Sequence, residues 1–343
     1  MQSLIEQAQE NMNDRQQLLS GWLKKNNNLI EPSLHLLAGD ASFRRYFRIY
    51  QPAGSFIAMD APPEKENCVP YVAIARALRS HGLLTPDIIA EDVPQGFLLL
   101  TDFGDRLLLN ELNADNVEVL YIQALNALAV LQSCPEVTGW QVPPFTIDFM
   151  HKELKLFQEW YLKNYLSLAL SAAAENMLDE LFLFLAKTAA SQPQVFMHRD
   201  YHSANLMVLP NNQIGILDFQ DAFIGPVTYD LVSLLRDCYV AWPIKQISQL
   251  ALHYRDQLHL AVSDAEFLRW FDLMGLQRHL KTLLTFARKY CRDGNAQYLK
   301  HIPRTLNYMM YESRQYPECQ EFYYFLRENI MPAQQGVMTI CAG

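Results

Sequence analysis

The sequence predicts an α+β protein of two lobes, a small strand-rich one over residues 1–102 and a larger helical one over 103–343. Three observations carry this. Short β-type runs punctuated by turn residues fill 34–60 and return near 88–100. Apolar residues recur at helical spacing through nearly all of the chain after 105, and one non-helical insertion, 194–219, interrupts them with a hairpin signal. With 343 residues, half of them hydrophobic and 19% charged, the chain is too long for one small domain and apolar enough for a continuous core.

Leu4, Ile5, Ala8, Met12, Leu18, Leu19, Trp22 and Leu23 lie at helical spacing, which predicts an amphipathic helix over 4–23 that packs on the strands after it. Those strands are expected at Leu34–Leu37, Tyr46–Tyr50 and Phe56–Met59, separated by Gly39-Asp40 and by Pro52-Ala53-Gly54. A helix from Pro70 to His81 stops at Gly82, and two more strands occupy Ile88–Glu91 and Phe97–Leu100. Helices are expected over 114–133, 146–170, 172–190, 226–240, 245–259, 264–292, 295–316 and 317–329, with the lobe boundary near Thr101–Asp105.

Lys and Arg number 28 against 37 Asp and Glu, a formal charge of −9. That balance argues against a nucleic-acid or anionic-membrane partner, both of which need an exposed basic face. The six cysteines are scattered, with no C-x-x-C pair, as in a reduced cytoplasmic protein. Glu6, Glu10 and Asp14 stand where a signal peptide would carry basic and apolar residues, and no apolar run approaches the roughly 18 residues of a membrane span. Nothing in the sequence fixes an oligomeric state.

Chemistry concentrates in VFMHRDYHSANLMVLPNNQIGILDFQDA, Val195 to Ala222. A short strand delivers His198-Arg199-Asp200, and a hairpin of Leu206–Leu209 and Ile214–Leu217 turns at Pro210-Asn211-Asn212. Asn205 and Asp218 stand at its two open ends, on adjacent strands about 5 Å apart. Amide and carboxylate oxygens gathered this way suit Mg²⁺, which takes one or two protein ligands and completes its shell with water and phosphate. The spacing matches the H-R-D-x-x-x-x-N signature of phosphotransferases, followed by D-F. By that template Asp200 orients the acceptor hydroxyl and takes its proton, while Asn205 and Asp218 hold the metal. A zinc hydrolase is one rival, since His198 and His202 are spaced i, i+4; but Arg199 stands where H-E-x-x-H needs Glu, and the segment is strand-like. A catalytically dead nucleotide-binding scaffold is a second rival, against which all three catalytic-loop groups are present.

The wording of this segment resembles the aminoglycoside phosphotransferase/choline kinase family of small-molecule kinases: His202 is the second loop histidine, Asp218-Phe219-Gln220 the metal motif, and Gly225-Pro226 to Asp230-Leu231 a G-P-x-x-x-D-L helix start. The resemblance implies a two-lobed protein-kinase-like fold, ATP and Mg²⁺ as cofactors, a small-molecule acceptor, and Asp230 bracing the catalytic loop. G-D-A-S-F-R-R-Y-F-R (39–48), M-D-A-P-P-E-K-E (59–66) and H-R-D-Y-H-S-A-N-L-M (198–207) are most similar to bacterial cell-wall kinases acting on the anomeric hydroxyl of N-acetylmuramate and N-acetylglucosamine in peptidoglycan recycling. Aminoglycosides, choline-like alcohols and homoserine are the alternative acceptors.

On the nucleotide side, Asp102-Phe103-Gly104 spells the protein-kinase metal motif, yet it precedes H-R-D by about a hundred residues. It fits an interlobe hinge, where Leu100, Asp102 and Phe103 would border an adenine. Walker, Rossmann and kinase glycine-rich loops are all missing. Gly39, Asp40 and Ser42 at a strand-to-strand turn could offer phosphate their N–H and hydroxyl groups, with Arg44, Arg45 and Arg48 adding charge. The family's strand-three lysine is replaced by Asp60, so that either Lys65 or an arginine of 44–48 takes its place. The helical half offers aromatic residues and Arg236, Arg278, Arg288 and Arg304, each better read alone as core or solvated face.

Overall fold

The computed structural model describes residues 14–25, 29, 32–37, 43–52, 54–134 and 136–342. Helix α1 (14–25) is the described part of the expected N-terminal helix; residues 4–13 lie outside the described residues. Strands β1 (His35–Leu36), β2 (Arg45–Gln51), β3 (Gly54–Asp60), β4 (Ile88–Asp92) and β5 (Phe97–Thr101) form one antiparallel sheet in the order β1-β2-β3-β5-β4. Strand alternation sorts its two faces. Phe47, Ile49, Ala58, Phe97 and Leu99 point outward and are covered by Leu19, Trp22 and Leu23 of α1. Met59, Leu98 and Leu100 point inward to α2 (Val69–Ser80), sharing a core with its Tyr71, Ile74, Ala75 and Leu78. Pro70 fits the first turn of α2, where no N–H is needed, and Gly82 beyond its end takes the left-handed conformation, φ +83°.

The larger portion is helical: α3 (Leu108–Glu111), α4 (Val117–Gln132), α5 (Ile147–Phe157), α6 (Ala172–Ala190), α7 (Thr228–Leu235), α8 (Ile244–Gln257), α9 (Asp264–Asp293), α10 (Ile302–Arg314), α11 (Gln320–Phe325) and α12 (Met331–Ala342). Set among them are two small antiparallel pairs, β6 (Gln194–Met197) with β9 (Phe223–Pro226), and β7 (Leu206–Val208) with β8 (Ile214–Ile216). The β7–β8 hairpin is clasped from outside: Ile216 N–H donates to Leu84 C=O at 2.7 Å and Val208 N–H to Arg106 C=O at 2.8 Å. These bonds fix the strand-rich part and the interlobe segment against the hairpin that follows the H-R-D loop.

Several expected elements are corrected. Gly225-Pro226 ends a strand rather than starting a helix, because Phe223–Pro226 pairs with β6; a Cβ on Gly225 would stand 2.6 Å from Met197 Sδ. Helix α7 stops at Leu235, not 240, since Arg236 leaves the helix to bury its guanidinium between Asp272 and Glu312 (2.8 Å), 1% exposed. The helix expected over 146–170 is α-helical only to Phe157, then widens to π geometry over Gln158–Tyr165, where Phe157, Tyr161 and Tyr165 stack in succession. The one expected over 295–316 is a 3₁₀ turn, Ala296–His301, followed by α10, with Pro303 in the first turn, the place a residue without N–H tolerates. Beyond 317, short 3₁₀, α and π turns lead into α12, which runs past the expected end at 329. Among the described residues no helix is long and apolar enough to cross a membrane.

Candidate active site

The H-R-D loop is held from beneath by Asp230, whose carboxylate accepts N–H bonds from His198 at 2.6 Å and Arg199 at 2.9 Å. Complete burial pushes the Asp230 carboxyl up to about 6, against the lowering effect of His198 and those N–H donors. His198 ties this loop to the metal-motif strand: its Nε2 bonds the Leu217 carbonyl at 2.9 Å and its Nδ1 accepts from Asp200 N–H at 3.3 Å. Of the non-glycine residues at positive φ, Arg199 (79°) and Asp218 (60°) belong to this site; such backbone strain is kept only where the surroundings over-determine it. For Arg199 those surroundings are Glu153 at 2.7 Å and the rings of Phe149 and Phe223.

The hairpin brings Asn205 and Asp218 together as its spacing requires. Leu217 N–H donates to Asn205 C=O at 3.0 Å, and Asn205 Nδ2 donates to Asp200 C=O at 3.0 Å and to Asp218 Oδ2 at 3.4 Å. Anchoring the amide by its nitrogen leaves Asn205 Oδ1 available to a cation beside the Asp218 carboxylate, which Gln220 Nε2 steadies at 2.8 Å. Among the described residues no three His, Cys, Asp or Glu side chains converge on a metal site. A cation here would therefore draw its other ligands from water and phosphate, a donor set that fits Mg²⁺.

Asp200 faces cations that sequence reading had not assigned to it. Lys281 Nζ stands 3.4 Å and Arg278 3.9 Å from Asp200 Oδ1. Burial would raise the Asp200 carboxyl, but Lys281, His202, Arg278 and Arg199 together hold it well below the usual carboxylate range. Both lie on α9, three apart and so on one face; that spacing is the available signal, but nothing local ties it to a loop some eighty residues upstream. The pKa of His202 is lowered by burial, against the raising effect of Asp237 and Asp200.

Two cavities meet at this loop. One, about 600 Å³, lies under the sheet and is bordered by Arg44, Tyr46, Ile57, Leu100, Asp102 and Phe103. All four described nucleotide-side candidates, Arg44, Leu100, Asp102 and Phe103, thus line one space; Gly39, Asp40 and Ser42 lie outside the described residues. Asp60 is turned to the opposite face, bonded to Arg15 and Arg45. Of the cations weighed for the missing lysine, Lys65 lies over the exposed Phe43 ring, Arg45 is tied to Asp60, and Arg48 is engaged by Asp102 and Asp105, both at 2.7 Å. Arg44, 8% exposed and paired with Glu66 at 2.9 Å, is the arginine in the cavity whose partner comes from the loop before α2. The second cavity, about 530 Å³, opens on the far side of Asp200. Its charged lining is six cations, Arg199, Arg278, Lys281, Arg288, Lys289 and Lys300, against Asp200 and Asp218.

Solved structures with this fold include the ethanolamine kinase of Plasmodium vivax (TM-score 0.61, 14% identity, 84% of this chain and 85% of that one). A spectinomycin phosphotransferase in complex with ADP and spectinomycin is similar too (TM-score 0.60, 14% identity, 91% and 98%). In sequence, proteins named N-acetylmuramate/N-acetylglucosamine kinase are much nearer. That of Pseudomonas putida is 41% identical over 310 residues, 89% of each chain, and that of Neisseria meningitidis 36% over 324 residues, 92% of this chain and 96% of that protein. Residues 33–271, which span the sheet, both small antiparallel pairs and the start of α9, match the family model described as the phosphotransferase enzyme family, and the chain belongs to that family.

Proposed function

We propose that this protein is an ATP-dependent sugar kinase that phosphorylates the anomeric hydroxyl of N-acetylmuramate or N-acetylglucosamine, giving the sugar 1-phosphate in peptidoglycan recycling. The observation that carries the reading is the meeting of two cavities at Asp200, Asn205 and Asp218, one bordered by a hinge and one by cations. The first takes ATP, with Leu100, Asp102 and Phe103 beside the base and Arg44 toward the phosphates. The second takes the sugar. Its positive lining disfavours aminoglycosides and choline-like alcohols, which are cations, and suits an acceptor bearing a carboxylate, as N-acetylmuramate does.

Asp200 aligns the hydroxyl for in-line attack and takes its proton. An anomeric hydroxyl is more acidic than other sugar hydroxyls, so a carboxylate held ionised by Lys281 and Arg278 is base enough. Asn205 Oδ1 and the Asp218 carboxylate would hold Mg²⁺, which when bound neutralises phosphate charge. Asp230 and His198 keep the loop in register throughout.

The test is ADP release with a panel of amino sugars, followed by phosphorus NMR of the product. Turnover of either N-acetylated sugar with phosphorus on C1 is expected; phosphorus on another carbon, or turnover confined to aminoglycosides or choline, refutes the proposal.

A further inference from the structure

We propose that Arg288 contacts the phosphoryl group as it passes from nucleotide to acceptor, because it is the cation that lines both cavities with no carboxylate to neutralise it. This rests on the kinase reading above.

Five residues border both cavities: Asp200, Asn205, Asp218, Arg288 and Lys289. The phosphoryl group must cross where the cavities join, so these five surround its path. Three of them are acidic or amide groups, and the two cations among the five are Arg288 and Lys289. The Lys289 ammonium lies 4.0 Å above the Tyr298 ring, on the acceptor side. Arg288 has no such engagement. Its Nε is buried without a hydrogen-bond partner, and among the described residues no ion pair holds it. Asp293 acts on it only through space and is itself bonded to Arg292 at 2.7 Å.

Helix α9 explains how the guanidinium gets there. Arg278, Lys281 and Arg288 fall on one face at i, i+3 and i+10. The first two approach Asp200, and Arg288 stands two turns beyond Lys281, roughly 10 Å along the axis. A guanidinium with a buried, unpaired Nε is costly unless an anion meets it. During transfer the bond from phosphorus to the β–γ bridging oxygen breaks with its electron pair going to ADP, the acceptor oxygen bonds phosphorus, and the acceptor proton goes to Asp200. Charge then spreads over three equatorial oxygens, which a planar guanidinium fork can bridge. Arg44 approaches from the sheet and Arg288 from the helical side.

The experiment compares Arg288→Ala and Arg288→Lys with the parent enzyme. For Arg288→Ala kcat should fall roughly 10² to 10³-fold, with KM for ATP and sugar changed less than about threefold. Arg288→Lys, which keeps charge without the fork, should lie between, and serves alone if the alanine variant does not fold. Added guanidinium ion should restore part of the lost rate. A second readout needs no acceptor: with ADP, Mg²⁺ and aluminium fluoride the parent should form a tighter complex than with ADP alone, and Arg288→Ala should lose that increment while binding ADP unchanged. If neither sugar is phosphorylated but the increment is lost, the acceptor assignment fails and Arg288 keeps its role. A kcat within threefold of the parent, a loss residing wholly in KM, or an intact fluoride complex overturns the role.

Discussion

Asp230→Asn separates what the catalytic loop costs from what it does. Asp230 is wholly buried and its carboxyl is raised from 3.8 to about 6, so the fold favours the protonated form. Between those values the native state binds more protons than the unfolded chain, and stability falls as pH rises. A shift of about 2 units corresponds to about 3 kcal/mol once pH exceeds the folded value, of which about 2 kcal/mol is incurred between pH 4.5 and 7.5. Asparagine has the same shape and does not titrate. Relative to wild type, the variant should therefore gain about 2 kcal/mol between pH 4.5 and 7.5, read as the change in the difference of urea midpoints at the two values. Activity should move the other way. The amide has one oxygen for the two donors, His198 N–H and Arg199 N–H, so its NH₂ must face one of them. The H-R-D loop then shifts, and misplacement on the scale of an ångström costs on the order of 10²-fold in kcat. A stability difference independent of pH, or a variant as active as wild type, would refute the claim that a costly buried carboxylate sets the loop.

Asp200→Asn should lower kcat roughly 10² to 10⁴-fold with ATP affinity little changed, measured by coupled ADP release; near-normal activity would remove Asp200 from its role. Asp218→Ala should abolish the Mg²⁺ dependence of ATP binding in calorimetry, and unaltered binding would exclude it as a metal ligand. For Arg44→Met the loss should fall mainly on KM for ATP, roughly 10-fold or more, as for one charge-assisted phosphate contact, with the sugar KM unchanged. Gly275→Ala should destabilise the protein despite alanine's helix propensity, a gain of about 1 kcal/mol. A Cβ there would meet Glu312 Oε1 at 2.2 Å, and that carboxylate is pinned by Arg236 at 2.8 Å and His279 at 2.9 Å. A raised melting temperature would show that the network yields.

The candidate site was legible because its geometry is local. One strand, one loop and one hairpin fix Asp200, Asn205 and Asp218 within a stretch of chain whose turn residues and alternation are written in the sequence, and the bond between Leu217 and Asn205 is the pairing that this spacing demands. Elements decided by distant partners were not legible. The β6–β9 pair joins residues about thirty apart, and Gly225 reads as a helix-start glycine until Met197 is placed against it. Helix α7 ends early because Arg236 finds Asp272 and Glu312, which come from α9 and α10. The departure at strand three was visible in Asp60, but its reason was not: β2 pairs Arg45 with Asp60, and both turn toward Arg15 on α1 rather than toward the nucleotide cavity. Tertiary partners, not propensities, decide such cases.

Charge follows the same division. The formal balance of −9 disfavours anionic ligands at long range, yet two of the proposed substrates, ATP and N-acetylmuramate, are anions. Much of the positive charge near the site is committed: Arg199 to Glu153, Arg48 to Asp102, Arg44 to Glu66, Arg236 to Asp272 and Glu312. Those pairs hold loops and helices in place. The cavity proposed for the acceptor, by contrast, gathers six cations around two carboxylates, four of the six on a single face of α9. Attraction there acts over a few ångströms inside a concave, partly desolvated space, whereas the surface field is screened beyond about 8 Å at physiological salt. Attraction of an anionic acceptor such as that proposed therefore falls to α9 and the turn after it, and not to the protein's overall charge.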